Sequence, residues 1–246
     1  MHVETLGSGP RLVLVHGSVT PGWMTWNAQK PLAERFTLVV PVRTGYPPNP
    51  PLERIDFDVQ ARELEDVIQS GDHLVAHSYG AVVGLLAAPR LPLASLTVIE
   101  PPAFGIALDH PAVRAFIDAV IRAPKEPRAY LEYFLPLVGS SMRLPDVLPP
   151  QLEASARATV AERWPNEAVI PLDELAATTY SKLVVSGAHS AAFDAVADVL
   201  EQRLGAQRAV LPGAGHSIPR LGEPLNALIS AFVRQAPGTV PEGDSP

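Results

Sequence analysis

Six short runs rich in Val, Leu and Ile constrain the fold of this chain more than any other feature: residues 12–15, 37–40, 73–76, 96–99, 182–185 and 208–211. Each stops at a turn signal, and each is apolar with little alternation. A strand with one wet face alternates in polarity, whereas a parallel strand covered on both faces does not. Between several runs lie helical patterns, such as residues 58–68, with apolar side chains three or four apart. Strands alternating with helices predict an α/β protein with a mostly parallel, doubly wound sheet of about seven strands. Residues 2–6 and the Gly7-Ser-Gly-Pro10 turn read as a short antiparallel edge strand feeding the first central one.

The third run leads directly into a chemical motif. In His73-Leu-Val-Ala-His-Ser-Tyr-Gly-Ala-Val-Val-Gly84 a strand ends on Ser78, small residues lie two positions to either side, and an apolar helical stretch follows. This is the strand–turn–helix context of a nucleophile elbow, which holds a serine on a tight bend above a strand end. Small flanks are needed because the bend brings the two backbones together. The first flank is Ala76, where glycine is usual.

The alternation lapses between about residues 101 and 179. That stretch carries eleven of the 27 prolines and amphipathic segments at 112–121, 128–137 and 151–163. It reads as a small helical cap or lid inserted into a core made of residues 1–100 and 180–236, with 237–246 as a flexible tail. Phe104, Phe116, Tyr130, Tyr133 and Phe134 are candidate lining residues for a pocket beneath such a cap.

A serine hydroxyl needs a base within hydrogen-bond reach. His216, in Leu211-Pro-Gly-Ala-Gly-His-Ser-Ile-Pro219 just past the last strand, has the best context of the seven histidines. An oxyanion needs two backbone N–H donors. Tyr79 follows the nucleophile and Ser18 sits in the loop after the first central strand, so these are the candidates.

Taken together, Leu14-Val-His-Gly-Ser18, Trp26, Pro41-Val-Arg-Thr-Gly45, Ala76-His-Ser-Tyr-Gly80 and Gly213-Ala-Gly-His216 resemble the α/β-hydrolase superfamily, in its order and across nearly the whole chain. The resemblance implies cofactor-independent hydrolysis of a small, rather apolar carboxylic ester or lactone through an acyl-serine, in the carboxylic-ester hydrolase class. The same residues also serve perhydrolysis, C–C cleavage or a lyase or cyclase step, and a non-catalytic binding protein on the same fold is a further alternative. One position departs from the family pattern. The acid usually follows the penultimate strand as Gly-x-x-Asp, but here that loop reads Gly187-Ala-His-Ser190. Glu100, ending the run 96–99 just before Pro101, is the expected acid, because some relatives place theirs at this strand end; Asp194 is the alternative.

Composition narrows the partners. A net charge of −7 lacks the basic footprint for nucleic acid or anionic membranes. There are no cysteines for disulfides or thiolate metal sites, and no His spacing on a helix face suggests a metal ligand set; His73 and His77 lie along a strand. Residues 1–9 lack a signal-peptide pattern and no apolar stretch is long enough to span a bilayer, so the expectation is a soluble cytoplasmic protein with a small-molecule substrate. Arg outnumbers Lys sixteen to three, a bias of GC-rich bacterial genomes. Oligomeric state is left open.

Overall fold

A computed structural model describes residues 1–235. Its centre is a seven-stranded sheet in the order β1-β3-β2-β4-β5-β6-β7. The strands are β1 (His2–Leu6), β2 (Arg11–Val15), β3 (Thr37–Val42), β4 (His73–His77), β5 (Ser95–Ile99), β6 (Ser181–Ser186) and β7 (Gln207–Val210). All neighbours pair in parallel except β1, which runs antiparallel to β3 in a register that sets Glu4 opposite Val40. Every residue of β4 and β5 is buried, while most of β1 is exposed. The unalternating apolar runs are therefore the strands covered on both faces, as the sequence predicts.

One apolar layer packs the helices Phe57–Glu65, Tyr79–Ala87 and Ala191–Leu204 against one face of the sheet. The other layer places Trp26, Leu32 and the helix Glu223–Gln235 against the opposite face. The chain leaves β2 to one side for β3 and returns on the other side as β4, so the strand order reverses between β2 and β4. Open α/β sheets form their crevice at the carboxyl ends of strands flanking such a reversal. Ser78 follows β4 there and Gly17 follows β2.

Between β5 and β6 the chain is helical: Pro111–Ile121, Pro127–Leu137, Pro150–Ala161 and Leu172–Ala177. The proline richness has a local cause. Three of these helices begin on proline, where a missing N–H and a fixed φ cost nothing. His110 and Glu126 cap the N-termini of the first two, the Glu126 carboxylate accepting from the N–H groups of both Arg128 and Ala129. Leu131, Leu135, Leu152 and Ala156 form a separate apolar cluster with Val19, so this helical segment packs onto the loop after β2.

Boundaries shift modestly from expectation. The first long helix begins after Asp56, whose side chain accepts from the Asp58 N–H, and ends at Glu65 rather than 68. The final strand starts one residue earlier, at Gln207. The expected tail at 237–246 lies outside the described residues. No described helix is long and apolar enough to cross a membrane.

Candidate active site

The bend after β4 is strained in the manner its sequence requires. Ser78 has φ 54° and ψ −128°, an unfavourable conformation for a residue with a Cβ, and its N–H still bonds Ile99 O at 2.9 Å. A Cβ on Gly80 would lie 2.3 Å from His16 O, and one on Gly17 would lie 2.6 Å from Ser78 Cβ. Only glycine fits at either place, because the elbow and the loop after β2 touch backbone to backbone. Ala76 in place of the usual glycine is accommodated because its methyl faces Gly84, where an added Cβ would come within 3.2 Å.

Glu100 ends β5 in similar fashion. Its φ is 51°, and its N–H extends the ladder to Val185 O at 2.9 Å. Adjacent strands therefore present Ser78 and Glu100 side by side. His216 approaches from the loop beyond β7 and lies between them. Its Nε2 is 2.7 Å from Ser78 Oγ and its Nδ1 is 3.1 Å from Glu100 Oε2. All three residues are buried.

The loop after β6, where an acid is usual in the family pattern, instead brings one N–H donor and one imidazole close to Glu100. Gly187 N–H donates to Glu100 Oε1 at 2.6 Å, and His189 Nδ1 stands 3.4 Å from Glu100 Oε2. Asp194 is occupied elsewhere: its Oδ1 accepts from Ser186 Oγ at 2.9 Å and from Arg208 Nη2 at 3.2 Å. The structure thus brings Glu100 to His216 and leaves Asp194 apart. Glu100, His189 and His216 also gather three metal-type donor atoms within 4.8 Å of one another. Spacing could not reveal this grouping, because the three lie on three different loops. His73, by contrast, bonds Ser95 Oγ at 2.8 Å at the far end of β4.

Electrostatics follow from burial. Desolvation pushes the His216 imidazole down to about 3, and charge on His189 acts in the same direction. His77 is likewise held at about 3, by burial first and by His216 second; its Nε2 lies 2.8 Å from His216 O. Its ring stands 6.4 Å from that of Trp26. Burial raises Glu100 above the usual carboxylate range, opposed by His189 and by the Gly187 N–H.

A cavity of about 290 Å³ opens over Ser78 and His216, with Ser18 and Tyr79 in its wall. Of the expected aromatic residues, Phe104, Phe116, Tyr130 and Phe134 line it. Tyr133 does not: it sits on the outer side of its helix and donates from its hydroxyl to Ala119 O at 2.8 Å. Helical periodicity explains the correction, since neighbours in sequence point about 100° apart.

Sequence reasoning missed four residues. Phe193 packs its ring 4.7 Å from that of His216 and lines the cavity. His189 is the second imidazole at Glu100. Arg43 and Glu162 form a buried ion pair at 2.6 Å, and Glu162 also accepts from Ser18 Oγ at 2.5 Å and from Tyr46 OH at 2.8 Å. Arg43 lies within the Pro41-Val-Arg-Thr-Gly45 segment, but nothing in the sequence marks Glu162 as its partner.

Comparison with known proteins agrees with this architecture. The chain is similar to the hydrolase olei00960 from Oleispira antarctica, at 17% identity and a TM-score of 0.74, covering 95% of this chain and 94% of that one. It is also similar to a thermophilic esterase from Thermogutta terrifontis, at 19% identity and 0.65, covering 95% and 92%. A third similar structure is the N-acyl homoserine lactonase AidH with N-hexanoyl homoserine bound, at 16% and 0.73, covering 97% and 94%. A search of curated proteins finds no match. Residues 12–230 match the alpha/beta hydrolase family, and the chain, with its parallel seven-stranded sheet and its serine bend after β4, belongs to that family.

Proposed function

We propose that this protein is a cofactor-independent serine hydrolase acting on a small, rather apolar carboxylic ester or lactone. The observation that carries the reading is the unbroken line from Ser78 Oγ through His216 to Glu100, at 2.7 and 3.1 Å. Neutral His216 is the form a base needs, and its depressed pKa keeps it neutral at physiological pH. With Nδ1–H donated to Glu100 Oε2, Nε2 is left to accept the serine proton.

The bonds then change in order. Ser78 Oγ attacks the carbonyl carbon while its proton passes to His216 Nε2, giving a tetrahedral oxyanion. The carbon–oxygen bond to the leaving alcohol breaks as His216 returns the proton to that oxygen. Water, deprotonated by His216, then attacks the acyl-serine, and the carbon–Oγ bond breaks as His216 returns the proton to Ser78 Oγ, releasing the acid and restoring the serine. The oxyanion is received by backbone N–H groups of Tyr79, which opens a helix and has no intrahelical acceptor, and of Ser18. Ser18 suits this role better than its neighbour, because Val19 N–H is already taken by Thr159 Oγ1 at 3.0 Å. The helical segment between β5 and β6 acts as a cap whose aromatic residues exclude water from the reacting atoms.

The esterase and lactonase among the similar structures support an ester or lactone as substrate. The test is labelling with a fluorophosphonate probe, followed by a panel of p-nitrophenyl esters and aromatic lactones. Covalent labelling of Ser78 with turnover on the panel is expected. Folded protein that neither labels nor turns over would overturn the reading in favour of a binding protein.

A further inference from the structure

A second, smaller cavity of about 60 Å³ meets the serine from the other side. Ser18, Ser78 and His216 line both spaces, and Phe134 and Val138 also face both, so these two side chains form the partition between them. The larger cavity is walled by Phe104, Phe116, Tyr130 and Phe193. The smaller is closed by Met24, Thr25, Ser140, Met142 and Arg220. One water needs on the order of 10–15 Å³ by this kind of measure, so the small space holds a group of roughly four to six heavy atoms. The large one, near 300 Å³, is of ordinary ligand-pocket size.

The two spaces also differ in which part of the machinery faces them. Tyr79, with its N–H at the elbow, and Pro102, beyond Glu100, line only the large cavity. Ser217, Pro219 and Arg220, which continue the His216 loop, line only the small one. A carbonyl oxygen directed at the N–H groups of Ser18 and Tyr79, with the leaving oxygen turned to His216, places the acyl chain in the large cavity. The alkoxy group then enters the small one.

We infer that the substrate is an ester of a bulky apolar or aromatic acid with a short alcohol, divided at Phe134 and Val138. This rests on the serine-hydrolase reading above and adds to it which half of the ester is large. In the reaction Ser78 Oγ bonds to the bulky acyl carbon, and the short alcohol leaves carrying the proton from His216.

The test compares three esters on the full chain: methyl phenylacetate, its isomer benzyl acetate, and benzyl phenylacetate. The expected kcat/KM for methyl phenylacetate exceeds each of the others by at least about tenfold, the discrimination a single poorly fitting group imposes on an apolar pocket. Met142→Ala, which enlarges only the small cavity, should raise kcat/KM for benzyl phenylacetate about tenfold while changing that for methyl phenylacetate little. Equal rates on the isomers, a preference for benzyl acetate, or indifference of benzyl phenylacetate to Met142→Ala would overturn the inference alone. Failure on all three esters, with no fluorophosphonate labelling of Ser78, would overturn the hydrolase reading as well.

Discussion

Glu162, just past the end of the Pro150–Ala161 helix, and Arg43, just past the end of β3, form a buried ion pair at 2.6 Å beneath the loop that carries Ser18. Arg43 is wholly enclosed and also donates to Gly17 O, His16 O and Gln60 Oε1. Glu162 adds Ser18 Oγ and Tyr46 OH as donors. One carboxylate thus ties the helical segment, the core and the proposed oxyanion loop together. Buried pairs of this kind gain little over apolar packing, but removing one member leaves the other charged and uncompensated.

Glu162→Ala should therefore destabilise the protein by about 3 kcal/mol, the lower end for a broken buried pair because Arg43 keeps its carbonyl acceptors. For a chain of this length that is a fall in melting temperature of roughly 6–12 °C. Glu162→Gln, which keeps an acceptor for Ser18 and Tyr46, should lose less. Calorimetry on both variants checks the order; equal stability of Glu162→Ala and the parent would show that the pair holds nothing together.

Glu100→Gln should lower kcat by roughly 10³–10⁴-fold with the fold intact, since an amide holds the imidazole in the wrong tautomer. Asp194→Asn should leave turnover nearly unchanged, because Asp194 faces Arg208 and Ser186. Ser78→Ala should abolish acylation. Steady-state kinetics with an activated ester decide the matter, and the reverse ranking of Glu100 and Asp194 would move the acid elsewhere.

Gly80→Ala should destabilise the fold and the elbow together. Its methyl would meet two backbone oxygens, His16 O at 2.3 Å and Val15 O at 2.8 Å, neither of which can rotate away. Overpacking against backbone costs roughly 1–3 kcal/mol or more, and here the shift would also separate Ser78 from the Ser18 loop. Urea denaturation and fluorophosphonate labelling should both be impaired; a variant of parental stability would contradict the close approach.

Stability should fall as pH drops below about 6.5, the unfolded histidine value. His77 and His216 are held near 3 in the folded protein, and burial also lowers His16 and His73. A depressed histidine binds its proton in the unfolded chain first, so its contribution is present above 6.5 and is lost as pH falls towards 3. At pH 5, His77 and His216 should each have lost roughly 2 kcal/mol. Glu100, raised by burial, acts in the opposite sense and blunts the slope at the acid end. Urea midpoints between pH 8 and 5 measure the effect, and His77→Gln should flatten it. A pH-independent midpoint would show that these imidazoles are not held neutral.

What the sequence determined on its own is local. Runs such as 12–15 and 73–76 carry their burial in their composition, and the bend at Ser78 is marked by the small residues around it, because backbone sterics act over a few positions. Ser78, His216 and the Ser18 loop could be placed for the same reason: each sits at the end of a recognisable strand. Glu100 could be preferred to Asp194 from its place at a strand end, but both remain plausible acids in sequence, and only the pairing of β5 with β4 and β6 sets Glu100 beside His216. Glu162, His189, Phe193 and the division of the pocket were not legible at all. Their partners lie on other loops and helices, and a contact made across the fold leaves no period or spacing in the chain that makes it.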